Sequence, residues 1–208
     1  MQFKALLPLS LALGLMSACA GVSVTDRVAY LPAGPPPVMR WDGRPEAAEW
    51  TTRALTAVAA RDGALASRVP GDITTFCPGY ASAPMGDRRA FWVGLMSATA
   101  KHESSFNPRA SGGGGRYIGL MQIAPGTARL AGCTAHTSAA LKDGAANLEC
   151  AIQIFAPNVV ADGLVAGEGN RGLARDWGPF SRRSKRAEIA AWTAAQPWCQ
   201  AGSARAKR

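Results

Sequence analysis

The amino-acid sequence predicts an all-α, predominantly helical fold, and three observations carry that prediction. Apolar residues recur at the three-and-four spacing of a helix in one segment after another. No stretch of any length alternates in the two-residue period of a half-buried strand, and there is no internal repeat. The 208 residues are 48% hydrophobic and 18% charged, which suits one folded domain with tails rather than a disordered chain. In chain order, Ala5 to Met16 is an apolar run interrupted only by Ser10 and preceded by Lys4, the pattern of a secretory leader. The stretch from residue 20 to about 45 contains Leu31-Pro32-Ala33-Gly34-Pro35-Pro36-Pro37 and has no amphipathic face, so it reads as a flexible tether. A helix is expected over Glu46–Arg61, with Trp50, Leu55 and Val58 as its apolar points. The next is expected to be capped by Asp87 and to run through Phe91, Trp92, Leu95, Met96 and Thr99 into His102-Glu103. Pro108 and Gly112 to Gly115 then require a loop. Thr127 to Ala131 reads as a short helix stopped by Gly132. Gly144 to Phe155 reads as a buried one with Leu148, Ala151, Ile152 and Phe155 on one face, and Pro157 is expected to end or kink it. Glu188 to Ala195 is the last helix, and the tail beyond Cys199 has no apolar face.

Charge and cysteine usage narrow the function. The formal net charge of +9 favours anionic partners: nucleic acid, anionic lipid, or the acidic peptides and polymers of a cell wall. There is no CxxC, no HExxH and no GxxxxGK[ST], so neither a zinc site nor a nucleotide-binding P-loop is expected, and no cofactor is implied. Gly112 to Gly115 lacks the Lys-Ser/Thr that would make it a phosphate cradle. Leu15-Met16-Ser17-Ala18-Cys19 resembles a bacterial lipobox, in which the cysteine is lipidated and becomes the first mature residue. That resemblance implies a signal peptide over 1–18, a lipid anchor on Cys19, a tether over 19–45, a folded domain over 46–200 and a disordered tail over 201–208. Ala20 after the cysteine implies the periplasmic face of the outer membrane, so the membrane is a partner through the anchor and nucleic acid is not. Cleavage there removes Lys4 and no acid, which leaves +8.

Four cysteines then remain, Cys77, Cys133, Cys150 and Cys199, an even number that suits two disulfides in an oxidising compartment. Three pairings are possible. A Cys133–Cys150 bond would tie the loop before the buried helix to that helix, and Cys77 would be left with Cys199, joining the two ends of the domain.

The chemistry is concentrated in His102-Glu103-Ser104-Ser105-Phe106-Asn107-Pro108, followed by Gly119-Leu120-Met121-Gln122-Ile123. One carboxylate sits at the C-terminal end of an apolar helix. Burial disfavours its charged form, and the negative helix end disfavours it further, so the pKa of Glu103 is expected to rise. A carboxyl group that stays protonated near neutral pH can donate a proton to a leaving oxygen. His102 points about 100° away around the helix and is no partner for it. His136 is expected in solvent, and Arg182-Arg183-Ser184-Lys185-Arg186 reads as a solvated basic face, with binding of acidic wall peptides or lipid head groups as the alternative.

Glu-Ser-Ser-Phe-Asn-Pro followed by Gly-Leu-Met-Gln-Ile is similar to the catalytic domain of soluble lytic transglycosylases, the lysozyme-like muramidases. The resemblance covers roughly residues 85–180. It implies a lysozyme-like α-helical domain and peptidoglycan glycan strands as substrate. The implied reaction cleaves the β-1,4 bond between N-acetylmuramic acid (MurNAc) and N-acetylglucosamine (GlcNAc), forming a 1,6-anhydro end. Glu103 matches the catalytic acid. Met121 and Gln122 match residues lining the sugar cleft, and Ser111 lies near the family's cleft serine, across a loop about one residue longer. Asn147-Leu148 resembles a third, structural motif. Where the family has Ala-Tyr-Asn-Ala-Gly, this chain has Ala174-Arg175-Asp176-Trp177-Gly178, so Trp177 or Tyr117 would supply the aromatic sugar contact. Two alternatives stay open: a hydrolytic muramidase, with a second carboxylate among Asp143, Glu149, Asp162, Glu168 and Asp176 activating water, and a non-catalytic peptidoglycan-binding protein of the envelope.

Overall fold

The computed structural model describes residues 36–200. The expected signal peptide, Cys19, most of the tether and the tail over 201–208 lie outside the described residues.

The fold is built on one central helix. Helix α1 spans Ala47–Ala59, a short α2 spans Ile73–Phe76, and α3 spans Met85–Glu103. Its expected apolar stripe is too narrow a description. Ala90, Val93, Gly94, Ala98 and Ala100 are buried as well as Phe91, Trp92, Leu95 and Met96, so α3 is enclosed on every side. Gly94 makes one of those contacts possible, because a Cβ there would fall 2.4 Å from the Trp198 ring. Aromatic rings fill the space around α3: Trp92 stacks on Phe155 at 5.8 Å and donates its indole N–H to the Tyr80 hydroxyl at 2.9 Å. The start of α3 is a correction to the sequence reading. Pro84, extended, precedes it, and Asp87 is buried within the first turn rather than capping it.

Beyond α3 come a two-residue antiparallel pair, β1 (Ser111–Gly112) and β2 (Tyr117–Ile118), where no strand is expected from the pattern. Helix α4 is Pro125–Leu130, started by a proline at its first position. Helix α5, Gly144–Asp162, is capped by Asp143, whose carboxylate accepts from the Ala146 N–H at 2.8 Å. It passes through Pro157, so of the expected end or kink there the end is excluded. Pro157 faces solvent, so the carbonyl deprived of its helical N–H can be met by water. Helix α5 packs along α1. A short α6 (Gly178–Ser181) then turns the chain into α7 (Arg183–Ala194), which lies against α3 and begins five residues before the expected Glu188.

Two disulfides close the domain. Cys133–Cys150 ties the loop after α4 to α5, and Cys77–Cys199 ties the end of α2 to the C-terminal turn, 122 residues away. The expected tether boundary needs correction at its C-terminal end. Pro37, Met39 and Trp41 are buried. Trp41 meets Trp50 edge-on at 5.9 Å and donates to Thr51 Oγ1, while the Arg40 N–H donates to Ser97 Oγ at 3.0 Å. The folded unit therefore starts by Pro37, nine residues before Glu46, because Met39 and Trp41 have more apolar area to bury than a solvated spacer would leave exposed. Among the described residues, no helix is long and apolar enough to cross a membrane.

Candidate active site

Glu103 is the last residue of α3, and the sequence after it explains why. The backbone leaves the helix through Ser105 and Phe106, both with positive φ (51° and 62°), and the Ser104 N–H closes onto the Ala100 carbonyl at 3.0 Å. Two consecutive non-glycine residues in the left-handed region carry strain of about 1 kcal/mol or more each. Phe106 offsets part of it by packing against the core. Asn107 then makes an Asx turn, its Oδ1 accepting from the Arg109 N–H at 2.9 Å. The chain proceeds into the β1–β2 hairpin and the tight turn over Gly119–Gln122.

That turn is held by a buried clamp. Asn147, on the first turn of α5, accepts the Met121 N–H at 2.8 Å through Oδ1. Its Nδ2 donates to the Ile118 and Leu141 carbonyls, both at 3.0 Å. Gly119 has φ 83°, and a Cβ there would stand 2.3 Å from both Asn147 Nδ2 and the Leu141 carbonyl oxygen. Gly119→Ala is therefore expected to cost about 2–4 kcal/mol, through a strained φ and a broken buried hydrogen-bond set. Denaturant unfolding monitored by Trp fluorescence would show a lower midpoint; an unchanged midpoint would contradict the clamp.

A cleft of ≈ 390 Å³ opens beside Glu103. Tyr117, 41% exposed, and Gln122 line one part of it. Gln122 has φ 49° and its Nε2 donates to the Gly119 carbonyl at 2.9 Å. Asp176 stands at the solvent-exposed rim, accepting from Asn158 Nδ2 at 2.7 Å, and Arg182 and Lys185 line the cleft from the α6–α7 corner. Burial pushes the Glu103 carboxyl up to about 6, and the nearby positive charges of Lys185 and Arg182 oppose that rise. Among the described residues, no hydrogen bond or ion pair claims the Glu103 side chain. His102, one residue earlier, is turned to Glu188, with Nε2 and Oε2 at 2.7 Å. Glu188 also accepts from Lys101 at 3.1 Å and from Arg40, so three cationic or basic groups hold it well below the usual carboxylate range. This network fixes the last turn of α3 and leaves Glu103 on the cleft side.

Of the residues expected to touch substrate, Glu103, Tyr117 and Gln122 share the cleft. Three others need correction. Met121 is fully buried, and its backbone holds the wall in place. Trp177 is 3% exposed, packs edge-on against Phe155 at 6.2 Å, and donates its indole N–H to the Met121 carbonyl at 2.9 Å; it supports the wall and reaches only a small pocket next to the Glu103 cleft, shared with Tyr117, Gln122 and Asp176. Ser111 lies exposed on β1 and does not line the cleft around Glu103. Sequence reasoning did not place Arg182 and Lys185 in the site. The basic run was visible, but which of its members face the cleft depends on the turn through α6.

The five remaining carboxylates also sort themselves. Asp143 caps α5. Glu149 pairs with Arg53 at 2.6 Å, Asp162 with Arg175 at 2.6 Å, and Glu168 with Arg186 at 3.4 Å. Only Asp176 lines the Glu103 cleft. Loss of hydration raises its carboxyl above the ordinary aspartate value. A larger groove of ≈ 590 Å³ between α1 and α5 holds the Arg53–Glu149 pair and the Cys133–Cys150 disulfide, with no unpaired acid to do chemistry. Among the described residues, no group of three His, Cys, Asp or Glu side chains is placed to hold a metal ion. His136 is exposed, its Nδ1 3.0 Å from the Cys133 carbonyl oxygen.

Comparison with known proteins bears on the fold that carries this site. Residues 83–161 match the family model described as Transglycosylase SLT domain. That span holds the whole of α3, the β1–β2 hairpin and most of α5. Among solved structures, the wild-type form 2 of DslA aligns with a TM-score of 0.71 at 25% identity, over 80% of this chain and 100% of that one. Two Glu-to-Gln variants of DslA align similarly, with TM-scores of 0.70 and 0.72. No curated protein matches in sequence.

Proposed function

We propose that this chain, an SLT-type protein of lysozyme-like fold, acts on peptidoglycan as a lytic transglycosylase, with Glu103 as its single acid–base residue. The observation that carries the reading is Glu103 itself: a desolvated, unclaimed carboxyl group with a pKa of about 6, lining a cleft of ≈ 390 Å³. Protonated Glu103 gives its proton to the glycosidic oxygen between MurNAc and GlcNAc, and the C1–O bond breaks. The 2-acetamido group supports the developing positive charge on the muramyl ring. Ionised Glu103 then takes the proton of the muramyl C6 hydroxyl as O6 bonds to C1. The enzyme ends protonated, as it began, and no water is consumed. Gln122 and Tyr117 supply polar and aromatic contacts to the strand.

The test is digestion of purified sacculi with the full-length protein and mass analysis of the soluble products. Products lighter by one water than hydrolysis products support the reading. Soluble muropeptides of either kind exclude a purely binding role.

One observation favours a second reading. Asp176 lines the same cleft as Glu103, and an inverting or retaining glycosidase needs such a second carboxylate. On that reading Asp176 serves water or the sugar, the products carry full-mass reducing ends, and Asp176→Asn loses activity.

The acid must be protonated to act. Cleavage is therefore expected to be level below about pH 6 and to fall roughly tenfold per unit above it, as Glu103 ionises. A pH profile of kcat/KM checks this, and a rate that still rises between pH 6 and 8 would overturn the assignment. By the same functional reading Cys19 carries a lipid, placing the domain at the periplasmic face of the outer membrane, with the segment before Pro37 as its reach. Fractionation of a Cys19→Ser chain tests that: the protein is expected to leave the membrane fraction.

A further inference from the structure

Two cations at the cleft are left without an ion pair among the described residues. In the region of α6 and α7 nearly every acid is already taken. Glu188 holds Arg40, Lys101 and His102, while Glu168 holds Arg186 and Asp162 holds Arg175. Among the described residues, Arg182, Arg183 and Lys185 make no salt bridge or side-chain hydrogen bond, and of these Arg182 and Lys185 line the Glu103 cleft. Asp176, at the same cleft, is bonded to Asn158. Glu103 is close enough to feel both cations, but it cannot neutralise them while it carries the proton that the reaction needs.

Two unpaired cations beside a glycosidic bond present a chemical problem. Bond cleavage develops positive charge on the sugar ring, and neighbouring cations oppose it unless something anionic lies between. Of the residues lining the cleft only Glu103 and Asp176 are acids, and Asp176 makes no ion pair with either cation, which leaves both to meet an anionic group brought by the substrate. Of the two sugars in the proposed strand, only the muramyl residue bears an acid. Its 3-O-lactyl group ends in a carboxyl, which is free on a peptide-stripped strand and amide-linked to a stem peptide with its own carboxylates otherwise. From the cleft geometry we infer that Arg182 and Lys185 recognise a carboxylate carried by the muramyl residue and so set the substrate class as anionic glycan strands. The inference rests on the functional reading above. Arg182 can meet a carboxylate with two parallel N–H donors, and Lys185 adds a point charge.

The test compares glycan strands with free carboxylates against the same strands after their carboxyls are converted to neutral amides, each in peptide-bearing and peptide-stripped form. KM and kcat are measured for the full-length wild type, R182Q/K185Q and the conservative R182K. The wild type is expected to show a KM at least tenfold lower for the carboxylate form. R182Q/K185Q is expected to bring that ratio close to one, and R182K to keep most of it. Discrimination on peptide-stripped strands identifies the lactyl carboxylate as the recognised group; discrimination confined to peptide-bearing strands identifies the stem peptide. Equal KM values in the wild type, or an unchanged ratio in R182Q/K185Q, would overturn the inference. If the wild type cleaves neither form, the transglycosylase reading fails, and the carboxylate inference is judged on the ratio of dissociation constants measured by co-sedimentation.

Discussion

Glu103→Gln is expected to reduce the release of soluble muropeptides from sacculi by about 10²–10⁴-fold, the range that a positioned general acid contributes. Glutamine keeps the shape of the side chain and its place at the end of α3, but it has no proton of suitable acidity to give. Sacculus binding should survive, since Tyr117, Gln122, Arg182 and Lys185 are untouched. The same substitution makes a second prediction with a definite sign. The folded Glu103 pKa, about 6, lies above the ordinary 4.5. The stability associated with the protonated carboxyl is thus fully present below pH 4.5 and is lost as pH rises through 6. Above that window the native state holds a desolvated charge that costs about 1–2 kcal/mol. Glu103→Gln removes the charge, so the variant should melt a few degrees above the wild type at pH 7.5 and close to it at pH 4. Retained cleavage would remove Glu103 from the mechanism. Equal melting temperatures at both pH values would mean that the carboxylate is better hydrated than its burial implies.

Opening the Cys77–Cys199 disulfide should have the largest effect on stability. The bond closes a span of 122 residues that contains everything from α3 to α7. On the chain-entropy account such a closure stabilises by about 5 kcal/mol, against about 3 for the 17-residue span of Cys133–Cys150. Few native domains have more than about 5–15 kcal/mol in total. The site of the bond adds to the expectation. Both sulfurs are buried, the Gly79 N–H donates to the Cys199 carbonyl at 2.8 Å, and Thr193 Oγ1 donates to the Phe76 carbonyl at 2.7 Å. Cys77→Ser/Cys199→Ser should therefore lower the denaturant midpoint more than Cys133→Ser/Cys150→Ser does, and should loosen α7 from α3. An equal or smaller loss would show that packing alone holds the C-terminal turn.

The central helix and its end were legible in the sequence because local chemistry decides them. Pro108 and Gly112 to Gly115 cannot continue a helix, so Glu103 was expected near its end. Asn147 was legible as a structural residue, although not as the clamp that binds three backbone groups at once. Trp177 misled, since an aromatic residue next to Gly178-Pro179 looks the same in sequence whether its indole faces a sugar or the Met121 carbonyl. Met121 misled for a related reason: its motif lines the cleft through backbone, while its side chain lies in the core. Met39 and Trp41 follow a proline-rich stretch and form no periodic pattern of their own, so nothing local marked them as buried. Pro157 was read by its intrinsic cost, and its solvent-facing position lets water meet the carbonyl it leaves without a helical partner.

The sequence by itself determined a helical domain, an acid at the end of its central helix, a glycine-requiring turn after it and an even set of cysteines, because each of these is written in neighbouring residues. Only the tertiary structure decided which side chains from distant segments meet Glu103. Asp176, Arg182 and Lys185 reach the cleft through the turn over α6, while Asp143, Glu149, Asp162 and Glu168 are drawn off into caps and ion pairs. The facing of a charged residue costs little locally, and it is set by how helices far apart in the chain pack against α3.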